Sequence, residues 1–89
     1  MVKYSVVHYK ESKSDWWING CKLIVFENEC VLKRFFKIVA EFAIDDALVV
    51  RKIPDQMFCK GINISNGNTS YDLLLYPKTA MQVYHMFNI

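Results

Sequence analysis

Two Asn-Gly dipeptides, Asn19-Gly20 and Asn66-Gly67, constrain this chain more than any other feature. Asn-Gly accepts the positive φ angles of a type I′ turn, and between alternating apolar stretches it signals an antiparallel hairpin. The first dipeptide stands between WWI and CKLIVF. A two-residue loop there pairs Ile18 with Cys21, Trp17 with Lys22 and Trp16 with Leu23. One face then carries Trp16, Ile18, Cys21, Leu23 and Val25, all apolar. The other carries Lys13, Asp15, Trp17, Lys22, Ile24 and Phe26 and is mixed. This register assigns Trp16 to the core. It sets Trp17 beside Lys22 on a second face, with the aromatic composition of contact surfaces.

The second dipeptide separates FCKGINIS from TSYDLLLY. A two-residue loop pairs Ser65 with Asn68, Ile64 with Thr69 and Ile62 with Tyr71. Phe58, Ile62, Ile64, Tyr71, Leu73 and Leu75 share one face. Gly61, Asn63, Ser65, Asn68, Ser70 and Asp72 share the other. So clean a separation predicts a sheet with one face in water.

Between the hairpins, ECVLKRFFKIVAEFAI repeats Val31, Phe35, Ile38 and Phe42 at helical spacing, with Leu32, Val39 and Ala43 widening the stripe. Asn28 suits an N-cap and Glu29 a first turn. The pattern predicts a long core helix with Lys33, Arg34, Lys37 and Glu41 on its polar side, ending near Asp45-Asp46. VKYSVVHY predicts an opening strand over 2–9, and ALVVRKI a strand stopped by Pro54. Pro77 opens a closing helix that buries Ala80, Val83, Tyr84 and Phe87. The predicted order is β-ββ-α-β-ββ-α. That is a single α+β domain over 1–89, an antiparallel sheet with helices on one face. The order α-β-β-β-α of the second half resembles that of a double-stranded-RNA-binding domain. Such domains bring a lysine cluster to the start of the last helix, where PKTAMQ offers only Lys78.

No motif for chemistry emerges. His8, Cys21, Cys30, Cys59 and His85 are isolated, without the spacing of a metal site, and no cofactor is expected. Cys30, in the first turn of the predicted helix, is the best-placed nucleophile, but no histidine is set beside it by sequence. Two of the three glycines are used in turns, which leaves no phosphate-cradling loop. The expectation is a protein that is not an enzyme.

Apolar residues make up 53% of the 89, more than so small a domain hides, so apolar surface is expected to remain for a partner or a second copy. The net charge of +2 is too balanced to imply nucleic acid by itself. Lysine outnumbers arginine nine to two, as in chains from AT-rich genomes such as those of many phages. MVKYSVVHYK lacks the apolar core of a signal peptide, and no apolar run approaches a membrane span. A cytoplasmic chain with free thiols and no membrane contact is expected, in the host cytoplasm if the chain is viral. The favoured function is a small binding protein that occupies a protein partner, as a viral or phage inhibitor of a host factor would. The alternatives are an RNA- or DNA-binding protein and a structural subunit, with homodimerisation open. The expected contact residues are Lys13, Trp17, Lys22, Lys33, Arg34 and Lys37.

Overall fold

A computed structural model describes residues 1–89. Seven strands precede one helix: β1 (Val2–Glu11), β2 (Ile18–Val25), β3 (Glu29–Arg34), β4 (Lys37–Ala43), β5 (Val49–Gln56), β6 (Cys59–Ser65), β7 (Ser70–Leu75) and α1 (Pro77–Phe87). The strands form one antiparallel sheet in the order β4-β3-β2-β1-β7-β6-β5.

The sheet has to curl. Its edge strands, β4 and β5, are joined by Ile44–Leu48 alone. Such a linker spans roughly 20 Å at full extension. A flat sheet of seven strands would hold its edges about 29 Å apart. Curling brings the concave face around α1, whose Ala80, Val83 and Tyr84 join Tyr4, Val6, Leu23, Leu32, Phe42, Ile62, Ile64, Leu73 and Leu75 in one core. The closing helix and its buried stripe are as the sequence predicts, with Pro77 in its first turn.

The long helix over 29–44 does not exist. Those residues form the β3–β4 hairpin, in which Cys30 pairs with Phe42, Leu32 with Ala40 and Arg34 with Lys37. Two properties mislead. Cys30, Val31 and Leu32 are all buried, so β3 reads as a continuous apolar run, which periodicity cannot assign to helix or strand. The turn itself, Phe35-Phe36, contains no turn former. The predicted fold class and the order β-ββ-α-β-ββ-α are therefore corrected: the chain is mostly sheet, with a single helix. The element order behind the double-stranded-RNA-binding resemblance goes with it. Asn28 sits in the β2–β3 turn, where its carbonyl accepts from the Ile44 amide at 2.9 Å. Asp45 caps a turn instead of a helix, its Oδ1 accepting from the Ala47 amide at 2.9 Å.

Neither Asn-Gly makes a two-residue turn. Asn19-Gly20 lies inside β2, which runs on through it opposite β1. Gly20 keeps a positive φ of 73°. Tyr4 and Val6 enter the core, and so does Tyr9, so β1 changes face opposite this point. The positive φ thus serves a distortion in the strand pair. The predicted pairs Trp16–Leu23, Trp17–Lys22 and Ile18–Cys21 do not form, and Trp16 is 80% exposed instead of buried. Asn66-Gly67 belongs to a longer loop. Ser65 pairs with Ser70, Ile64 with Tyr71 and Ile62 with Leu73, a slip of two from the expected register. An even slip preserves the faces, so Ile62, Ile64, Leu73 and Leu75 reach the core as predicted. Phe58 does not: it is fully exposed in the β5–β6 turn.

The polar face of that hairpin is only partly in water: Gly61 and Asn63 are buried, Ser65, Ser70 and Asp72 are half-buried, and Asn68 is exposed. Asn63 is 2% exposed. Its Nδ2 donates to Ser12 Oγ at 3.0 Å, Ser70 Oγ at 2.9 Å and Asp72 Oδ1 at 2.9 Å. Lys10 lies 3.6 Å from Asp72 Oδ2 and 5.3 Å from the Trp17 ring centroid. Pro54 does not stop β5, because an edge strand tolerates proline. A Cβ on Gly61, opposite Ile53, would meet the Ile53 side chain at 2.6 Å and the Pro54 carbonyl at 2.9 Å.

Candidate functional site at the β3–β4 hairpin

The tip of the β3–β4 hairpin is the least expected part of the molecule. Arg34 and Lys37 pair, leaving Phe35-Phe36 as a two-residue turn. Phe35 has φ 57°. Short turns of this kind require a positive φ, which glycine or asparagine supplies and a bulky aromatic supplies only under strain. Both rings are exposed, Phe35 to 81% and Phe36 to 100%. The Arg34 guanidinium lies 5.1 Å from the Phe35 ring centroid.

Three depressions adjoin the tip, one of them over Ser5, Asn19 and Cys21 between β1, β2 and β3; the other two bear on binding. The first of these two, of about 550 Å³, is lined by Tyr9, Arg34, Phe35, Phe36, Lys37, Ile38 and Val39 and adjoins β4, an edge strand. Tyr9 forms its buried side. Burial pushes the Tyr9 phenol up, and the Arg34 charge offsets part of that. The second, of about 370 Å³, is lined by Lys3, Lys22, Ile24, Lys33 and Phe35.

The expected contact residues divide. Lys22 and Lys33 are direct cross-strand partners, and Arg34 and Lys37 close the adjacent turn, so four of the six cluster around one hairpin. They share it through strand pairing, not through a helix face. Trp17 and Lys13 lie apart. Trp17 is half-buried against Lys10 rather than beside Lys22, and Lys13 is exposed in the β1–β2 connection. The residues missed are Phe35 and Phe36, assigned to a helix by their spacing. Doubled aromatics between two cations, where a hairpin could turn, were their only signal.

Met57-Phe58 repeats the motif at the β5–β6 turn, with φ of 50° and 61°. The chain thus places aromatic residues where glycine would be less strained, and its Asn-Gly pairs elsewhere.

Cys30, the best-placed nucleophile by sequence, is buried in a strand and not at a helix start. Burial followed by the Glu29 charge pushes its thiol up to about 11. Burial pushes the Cys21 thiol up to about 12, with Arg34 opposing. The three cysteines are free thiols, and no cluster of three or more histidine, cysteine or acidic residues could hold a metal ion. No helix is long and apolar enough to cross a membrane.

The fold defines a class only in outline, a curled seven-stranded antiparallel sheet closed over one C-terminal helix. No family model, curated protein or solved structure matches the chain.

Proposed function

We propose that the chain is a non-enzymatic binding protein that occupies a protein partner through the tip of the β3–β4 hairpin, with Phe36 as the anchor. One observation carries this reading: two adjacent phenylalanines are exposed on a turn whose backbone is strained at Phe35. A left-handed conformation costs a non-glycine residue about 1–2 kcal/mol. Each exposed ring also forgoes roughly 1.5–3 kcal/mol of burial. Neither cost benefits the free chain. Both are offset when a partner's pocket receives the rings, as it does for hot-spot aromatics. The cleft of Tyr9, Phe36, Ile38 and Val39 adds apolar area beside the tip, and the unpaired edge of β4 offers backbone groups to an extended segment. Small viral inhibitors of host proteins act by such occupation, which suits a chain of this size and composition.

The test is capture from nuclease-treated lysate of the cells in which the chain acts, followed by titration of the recovered protein. Phe36→Ala is expected to weaken that binding at least ~30-fold, as loss of a hot-spot anchor of about 2 kcal/mol does. Unchanged affinity for Phe36→Ala overturns the reading. Self-association of purified chain, abolished by Phe36→Ala, would make the partner a second copy.

A further inference from the structure

Lys22 and Lys33 stand directly opposite each other on β2 and β3. Like charges at that position repel and destabilise the pair. Lys3, opposite Ile24, extends the cluster onto β1. No carboxylate lies within ion-pair distance of any of the three. Lys22 instead donates to Ser5 Oγ at 2.7 Å, a neutral acceptor that leaves its charge uncompensated. The floor of the depression between them is apolar, the buried Ile24, and one wall is the exposed Phe35 ring. One carboxylate shares this face of the sheet: Glu41 on β4 pairs with Val31, which pairs with Ile24, but it forms no ion pair with any of the three lysines. Glu27 and Glu29 lie around the β2–β3 turn, and Asp45 and Asp46 beyond the end of β4.

We infer that this groove binds single-stranded nucleic acid, with phosphates on Lys3, Lys22 and Lys33 and a base stacked on Phe35. The charge calls for a polyanion, because three separated cations exceed what one carboxylate neutralises. The aromatic wall selects among polyanions. An unpaired base has a free π-face to lay on Phe35, whereas a duplex hides its base faces and an acidic peptide has none. The groove shares Phe35 with the cleft of Tyr9, Phe36 and Ile38 but none of its three lysines, so its affinity for a polyanion does not rest on the protein-binding reading.

The probe is a fluorescently labelled single-stranded pyrimidine oligonucleotide of about 12 nucleotides, within the usual span of such grooves. Three phosphate contacts give a slope of log K against log salt of about −2, hence an affinity loss of roughly 20-fold between 50 and 200 mM salt. Lys22→Gln with Lys33→Gln should reduce that slope by about 1.4. Arg51→Gln with Lys78→Gln, which removes the same charge elsewhere, should leave the slope within about 0.3 of the original. Phe35→Gly suits the turn's positive φ and keeps the fold, so a tenfold or greater loss of affinity in it reads the stacking alone. Phe36→Ala should leave oligonucleotide binding intact, which separates this site from the protein-binding one. Absence of binding at low salt overturns the inference. So does a slope indifferent to Lys22 and Lys33, or equal affinity for polyglutamate, which would assign the groove to an acidic protein.

Discussion

Phe42 on the edge strand β4 meets Tyr71 on β7 edge to face, ring centroids 6.4 Å apart and planes at 86°. Three strands separate β4 from β7 in the sheet, so the contact exists only because the sheet curls on itself. Phe42 is fully buried. Phe42→Ala is expected to cost about 3–5 kcal/mol, as large aromatic truncations in cores do. Urea unfolding followed by tryptophan fluorescence measures it. A loss under 1 kcal/mol would mean that β4 is not held across the core.

Replacing Met57-Phe58 by Asn-Gly should stabilise the free protein. Both positions have positive φ, for which Asn-Gly is the favoured pair. Relief of two left-handed bulky residues, less the entropy that glycine loses on folding, amounts to about 1–2 kcal/mol. A higher thermal midpoint for the double variant is the expected result, and a lower one would show that these side chains have a structural role.

The adjacent tryptophans should behave oppositely to the order their sequence suggests. Trp16→Ala is expected to change stability by no more than about 0.5 kcal/mol, as exposed positions do. Trp17→Ala should cost about 1–2 kcal/mol, the sum of a half-buried ring and its contact with the Lys10 ammonium. Chemical denaturation of the two single variants decides the matter. Equal losses would contradict the packing of Trp17 on Lys10.

Stability should fall above pH 9. Cys21 and Cys30 keep their protons to about 12 and 11 when folded, against 9.0 for an unperturbed thiol. Their contribution is complete below the unfolded value and is lost as pH rises toward the folded values, because only the unfolded thiols ionise in between. Burial likewise raises Tyr9, Tyr71 and Tyr84, which adds a loss of the same sign above pH 10. The urea midpoint is expected to decline between pH 9 and 11 and to decline less steeply in the Cys21→Ala, Cys30→Ala double variant. An identical decline in both proteins would leave the thiols without a part in it.

What the sequence determined by itself was local. Pro77 and the apolar stripe Ala80, Val83, Tyr84 specify α1 because a helix buries one face by its own periodicity. Ile62, Ile64, Leu73 and Leu75 specify the inner face of β6–β7, and a register slip of two leaves alternation intact. Lys33, Arg34 and Lys37 were legible as one polar group, but neither the hairpin that carries them nor the pairing that sets Lys22 opposite Lys33 was. Tertiary structure decided the rest. Val31, Phe35, Ile38 and Phe42 satisfy helical spacing and also fit strands, and burial of β3 on both faces erases the alternation that would tell them apart. The choice fell to β2, whose unpaired backbone groups are satisfied by a neighbouring strand and not by a helix. With β3 and β4 in the sheet, Phe35 and Phe36 are carried to a turn that their residue types would not choose. Curling of the whole sheet, imposed by the short β4–β5 linker, buries Phe42 and leaves those two rings outside.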